Sequence, residues 1–335
     1  MAKRVRTAGW GRLFQRSLQA MARPAARAGQ RAVDHAVKAG VEAMRPPPGA
    51  GDWLAGVVMS AQGLRRYRLF KPAGLGIGER VPLVVMLHGC AQDAKSFATV
   101  TRMNLIAARE RFLVLYPEQD RLANVNGCWN WFDTDSGRAF GEAGLIMKAI
   151  DQVCLFYRVD RAKLALAGLS AGASMAALLA TRHPERFKAV VMHSGIAPGT
   201  AHSPLSALGA MRGRRAPVPP APPRTGAADA WPPLLVIHGG ADVVVSVRNG
   251  HAAAQAWADA TGALAAAPRS VQRGQRYAMA VTDFRQGRRT VAQLVEVGRL
   301  GHAWSGGAAG KPFSDSKGPD ASRLAWAFMS RQWRG

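Results

Sequence analysis

Short apolar runs separated by amphipathic stretches organise most of this chain. Val81–Leu87 is a nearly unbroken run of seven residues, VPLVVML, of the kind produced by parallel strands buried on both faces. Segments 112–116 (FLVLY), 163–168 (KLALAG), 187–193 (FKAVVMH) and 233–238 (PLLVIH) repeat the theme. Residues 65–70 alternate and predict a further strand, and 277–284 and 290–297 predict two more. Helical spacing predicts helices at about 100–111, 141–157, Ala171–Arg182, 246–261 and 320–332. Strands alternating with helices predict an α/β architecture, a mostly parallel central sheet covered by helices on both faces. No internal repeat interrupts it.

Two stretches stand apart from this pattern. Residues 1–50 are basic, with Trp10, Leu13, Phe14, Leu18 and Met21 spaced along one helical face. They read as a basic arm suited to a membrane surface, a granule or targeting, or as a loosely ordered Ala- and Arg-rich tail. Pro46, Pro47 and Pro48 mark the linker to a domain covering 51–335. The Pro-rich stretch 212–231 can form neither helix nor central strand and predicts a surface insertion.

Composition adds constraints. The net charge of +24 over 335 residues points to an anionic surface or granule as partner, or to heavy Arg usage throughout. No RNA-recognition, zinc-finger or basic-zipper pattern accompanies it, so no specific nucleic acid is expected. No apolar run of transmembrane length occurs. A compact apolar segment followed by a small-residue cleavage site is also missing, so no standard secretory signal is read. The three cysteines exclude a dense disulfide framework.

The chemistry concentrates at Gly168-Leu169-Ser170-Ala171-Gly172, directly after the KLALAG run and directly before a predicted helix. A tight strand-to-helix turn raises a serine hydroxyl for nucleophilic attack, and flanking glycines permit the close backbone approach. The pentapeptide alone is weak, and a Gly-rich turn without chemistry is its plainer reading. A serine nucleophile needs a base, and the base needs an orienting acid, later in the chain in the order acid then His. Asp242 follows the PLLVIH run, and His302 follows the strand predicted at 290–297. Separately they read as an N-cap and a loop histidine; together with Ser170 they make a candidate triad. His193 precedes Asp242 in the chain, His238 ends its own strand and His88 belongs to the His-Gly pair of the loop expected to supply an oxyanion donor, so all three compete less well for the base. Candidate oxyanion donors are the N–H groups of Ala171 and of Cys90, the latter in the loop after the VPLVVML strand. Phosphate-cradling Gly patterns are absent.

LHGCAQ at 87–92, GCWNWF at 127–132, GLSAGASM at 168–175, HGGAD at 238–242 and GHAWSGG at 301–307 together resemble the poly(3-hydroxybutyrate) depolymerase family of esterases, which includes feruloyl and acetylxylan esterases. The resemblance covers about 51–335. It implies an α/β-hydrolase fold, the triad Ser170, Asp242 and His302, and no metal or organic cofactor. It also implies hydrolysis of poly- or oligo(3-hydroxybutyrate)-type esters, with feruloyl or acetylxylan esters as the alternative. A peptidase of the same fold is disfavoured because no long propeller-like region precedes the domain, and a non-catalytic granule-binding protein ranks third. Trp129, Trp131 and Trp304 read as an aromatic wall for substrate or as packing beneath a loop. Cys90 and Cys128, one in each of two motif loops, are a candidate disulfide if the protein works in an oxidising place, and Cys154 reads as a buried free thiol. The family resemblance implies an extracellular protein; the missing signal leaves a cytoplasmic or granule-associated one as the alternative. The lack of an appended substrate-binding domain favours short-chain or soluble esters.

Overall fold

The computed structural model describes residues 45–218 and 231–334. The chain divides into Met1–Pro46 and Pro47–Gly335, and the described strands and helices all lie in the second unit. The basic helix expected within 1–50 and most of the Pro-rich insertion, residues 219–230, lie outside the described residues.

The strands of the central sheet are β1 (Gly51–Ser60), β2 (Gly63–Pro72), β3 (Val81–Leu87), β4 (Leu113–Pro117), β5 (Val159–Leu169), β6 (Ala189–His193), β7 (Leu234–Gly239), β8 (Leu264–Ala265), β9 (Arg269–Val271), β10 (Met279–Gln286) and β11 (Arg289–Val297), and Trp304–Ser305 and Ser314–Asp315 pair separately as a short parallel ladder. The central sheet has the order β1-β2-β4-β3-β5-β6-β7-β11-β10-β8, with β9 also on β10. From β4 to β11 every pairing is parallel, and the antiparallel pairs lie at the two ends.

Apolar side chains alternate across the sheet into two cores. Leu83, Val85 and Leu87 of β3 pack on one face, and Val84 and Met86 on the other. The first core is closed by α3 (Arg138–Phe156), α4 (Ala171–Arg182) and α6 (Arg248–Asp259), through residues such as Ile146, Leu179 and Trp257. The second is closed by α1 (Ala94–Thr101), α2 (Met103–Glu110) and α7 (Ala321–Gln332), through Phe97, Ile106 and Phe328. This double cover is why the central strands read as continuous apolar runs. One short helix, α5 (Pro204–Met211), lies between β6 and β7.

The single helix expected at 100–111 is two. Arg102 adopts a left-handed φ of 54° between α1 and α2, and its guanidinium donates to the Gly306 carbonyl at 2.5 Å. A non-glycine residue in that region costs about 1–2 kcal/mol; here the tertiary contact holds the bend. Strand β1 was not expected either, because it is an edge strand with almost no buried residue and no clean alternation.

The strand order reverses its direction of growth at β3, which sits between β4 and β5. In open α/β sheets the crevice beyond the carboxyl ends of strands at such a point is where ligands bind. The turn into α4 is pressed against that end of β3. A Cβ on Gly172 would lie 2.2 Å from the Leu87 carbonyl oxygen and 2.4 Å from that of His88. Gly172→Ala is therefore expected to destabilise the domain by about 3 kcal/mol or more, measured as a lowered denaturation midpoint.

Candidate active site

Ser170 sits between β5 and α4 with φ 55° and ψ −121°. Such a conformation in a non-glycine residue costs about 1–3 kcal/mol and persists only where its surroundings enforce it. Here the Ser170 N–H donates to the His193 carbonyl at 2.8 Å. Gly168 and Gly172 approach so closely that a Cβ on the first would meet the carbonyl carbon of the second at 2.4 Å. The Ser170 hydroxyl forms no hydrogen bond among the described residues and stands at the positive end of the α4 dipole.

Asp242 follows β7, with its side chain fully buried. Its Oδ1 accepts the N–H groups of Val244 and Val245, both at 2.9 Å. Its Oδ2 lies 2.7 Å from His302 Nδ1. Burial alone would raise this carboxyl, but the His302 bond and charge and the Val245 N–H outweigh it and hold it below the usual Asp value. With Nδ1 donating to the carboxylate, His302 Nε2 is left with its lone pair.

The loop carrying His302 and the turn carrying Ser170 meet at one residue. His193, at the end of β6, takes the Ser170 N–H on its carbonyl and the Ser305 N–H on its ring Nε2, at 3.1 Å. The competing histidines are unsuited to act as the base. Burial pushes His88 down to about 4 and His193 down to about 3, and it also lowers His238. Each of the three uses a ring nitrogen on a structural partner: Gln119 N–H for His88, Ser305 N–H for His193 and the Val245 carbonyl for His238.

Beyond β3, Gly89 N–H donates to Gln92 Oε1, Ala91 N–H to the Asn126 carbonyl and Gln92 N–H to the Gly89 carbonyl. Among the described residues this leaves the Cys90 N–H without a partner. The Ala171 N–H, opening α4, likewise has none. The structure thus offers a hydroxyl on a strained turn, an imidazole held by a buried carboxylate on a loop tied to that turn through His193, and two uncommitted N–H groups, the kinds of group that acyl transfer uses.

A profile of the esterase PHB depolymerase family matches residues 65–274, well over half of the chain. The chain belongs to the esterase PHB depolymerase family. Poly(3-hydroxyalkanoate) depolymerase C of Paucimonas lemoignei is 35% identical over 121 residues, covering 36% of this chain and 29% of that protein. Feruloyl esterase B of Neurospora crassa is 30% identical over 117 residues, covering 34% of this chain and 39% of that protein. The matched region is thus well under half the length of either relative. Among solved structures, an acetyl xylan esterase from Aspergillus awamori superposes with a TM-score of 0.58 at 18% identity, covering 74% of this chain and 94% of that one. That likeness shows the α/β-hydrolase fold.

Around this PHB depolymerase-family site the tryptophans correct one expectation. Trp129 and Trp304 are fully buried and Trp131 is only 8% exposed. Trp129 Nε1 donates to the His88 carbonyl, and Trp304 Nε1 donates to Ser322 Oγ. A substrate wall needs an accessible ring face, which Trp129 and Trp304 lack. They pack beneath the loops and hold them in place.

A buried polar network was not foreseen. Glu142 of α3 accepts from Asn130 N–H at 2.9 Å, Asn130 Nδ2 at 2.7 Å and Gln119 Nε2 at 2.7 Å. Gln119 N–H donates to His88 Nε2, and Arg65 donates to the Glu118 carbonyl and to Gln119 Oε1 while its guanidinium covers Trp129. This network fixes the loop at 127–132 against the candidate oxyanion loop. Its members are far apart in sequence and share no spacing rule, so only the Asn of GCWNWF offered a signal.

A disulfide joins Cys90 to Cys128, and Cys154, in α3, is a half-buried free thiol. Closing a loop of 38 residues stabilises by about 2–4 kcal/mol. Replacing both bonded cysteines by Ala is expected to lower the unfolding free energy by about that amount and to reduce kcat more than it raises KM. Denaturant titration and steady-state kinetics with and without reductant check both.

Proposed function

We propose that the chain is a serine carboxylic-ester hydrolase with Ser170 as nucleophile, His302 as base and Asp242 as orienting acid, cleaving oligomeric or polymeric 3-hydroxybutyrate-type esters. The observation that carries this reading is the 2.7 Å contact between His302 Nδ1 and the buried Asp242 carboxylate, on the loop tied through His193 to the strained Ser170 turn. His302 Nε2 takes the Ser170 proton as Oγ bonds to the ester carbonyl carbon. The carbonyl oxygen becomes an oxyanion that receives the Cys90 and Ala171 N–H groups. As the tetrahedral adduct collapses, the C–O bond breaks and His302 returns the proton to the departing alcohol, leaving an acyl-enzyme. Water, deprotonated by the same imidazole, attacks the acyl carbon and releases the hydroxy acid and free Ser170. The Cys90–Cys128 bond suits an oxidising compartment.

The substrate class rests on the similarity to the Paucimonas enzyme, and the similarity to feruloyl esterase B supports a feruloyl ester as the second reading. Purified protein labelled with a fluorophosphonate is expected to carry the adduct on Ser170. In a panel of 3-hydroxybutyrate oligomers, feruloyl esters and acetylated xylan, the oligomers are expected to give the highest kcat/KM. Preference for another member of the panel overturns the substrate class alone; failure to label Ser170 overturns the hydrolase.

A further inference from the structure

We infer that His193 is a positioning residue for the reaction: its neutral ring, used as a hydrogen-bond acceptor, sets the loop of His302 in register with the Ser170 turn. This rests on the reading of Ser170, Asp242 and His302 as a triad. His193 is fully buried at the carboxyl end of β6, the strand next to the one that carries Ser170. Its carbonyl holds Ser170 through the 2.8 Å bond from that residue's N–H. Its ring reaches the opposite way. Nε2 accepts the Ser305 N–H at 3.1 Å, three residues beyond His302, so Nε2 carries no proton. Nδ1, 3.2 Å from Ser194 Oγ, then carries the hydrogen. The ring also stacks on Trp304 with centroids 5.0 Å apart, and Trp304 and Ser305 are pinned onward to Ser322 and to the Pro319 carbonyl.

One residue therefore joins the nucleophile, by its backbone, to the base loop, by its side chain. The groups facing it are His238, His302 and Asp242. Burial, the largest influence, keeps the ring neutral, and the neighbouring histidines add to this. The Nε2 acceptor is thus retained throughout the neutral range in which an ester hydrolase works. A protonated ring would oppose the Ser305 N–H with a second N–H. His193 moves no proton in the reaction. It fixes where the proton acceptor stands, and a misplacement of about 1 Å in such a site costs about a hundredfold in rate.

Two variants separate the acceptor from mere space filling. His193→Phe keeps a ring against Trp304 and removes the acceptor; His193→Gln places a carbonyl oxygen within reach of the Ser305 N–H and removes the ring. The expected result is a kcat about a hundredfold lower in the Phe variant, with KM within about twofold, and a kcat within about tenfold of the parent in the Gln variant. Fluorophosphonate labelling of Ser170 should slow in parallel. A folded Phe variant with parental kcat, or a folded Gln variant no faster than about a hundredth of the parent, overturns the inference. If the Phe variant fails to fold, the Gln variant decides alone by the same threshold. Ser170→Ala in the same assay keeps the two readings apart. A folded Ser170→Ala variant within about tenfold of the parent overturns the triad, whereas a Ser170→Ala variant reduced to a faint residual rate beside a fully active, folded His193→Phe overturns only the role of His193.

Discussion

Ser170→Ala is expected to lower kcat on p-nitrophenyl butyrate by about a millionfold while the domain stays folded. The hydroxyl has no structural duty: it forms no hydrogen bond among the described residues, and it caps no N–H of α4. Its removal therefore leaves no buried partner unsatisfied, and an alanine meets the same backbone cost at φ 55°. Stability should stay within about 1 kcal/mol of the parent. What disappears is the oxygen that, on the proposed assignment, bonds to the acyl carbon. Uncommitted N–H groups and binding alone would still give about a thousandfold over water, so a faint residual rate is compatible with the assignment. A folded variant within tenfold of the parent would end it.

Much of this site was legible because local rules and global topology coincide there. VPLVVML and KLALAG announce strands buried on both faces, and β3 and β5 are such strands. The Gly-x-Ser-x-Gly spacing announces a turn whose glycines let β3, β5 and α4 touch, and Gly168 and Gly172 are used in that way. Asp242 and His302 could be placed because they follow strands that end on the same side of a parallel sheet. What escaped the sequence depends on contacts between distant segments. The bend at Arg102 is held by a carbonyl at 306, and no periodicity records that. Glu142 reads as one more charged residue of an amphipathic helix, although it lies buried beneath the loop at 127–132 and accepts three hydrogen bonds. Trp304 looked like a ligand surface because it lies two residues beyond His302, but its indole is fully buried and packs on Phe97 and His193.

Asp242→Asn is expected to cost about ten-thousandfold in kcat, for a reason that the backbone around it dictates. Oδ1 is committed to the N–H groups of Val244 and Val245, so an asparagine keeps its carbonyl oxygen there and turns its amide NH2 towards His302. That NH2 cannot accept from Nδ1–H. The imidazole must then lose the Nδ1 proton and carry it on Nε2, where it can no longer receive the proton of Ser170. KM should change little, because nothing that meets the substrate is altered. The two proteins should also differ in acid. The folded-state carboxyl of Asp242 is held below its ordinary value, so its contribution to stability is complete above about pH 4 and is lost as the pH falls towards that lower value. Asparagine has no such dependence. The stability gap between parent and variant, measured by thermal melting from neutral pH downward, should therefore narrow below about pH 4. Parental kcat in the folded variant would show that this carboxylate does not orient His302, and a stability gap that does not change with pH would show that it does not ionise as the geometry requires.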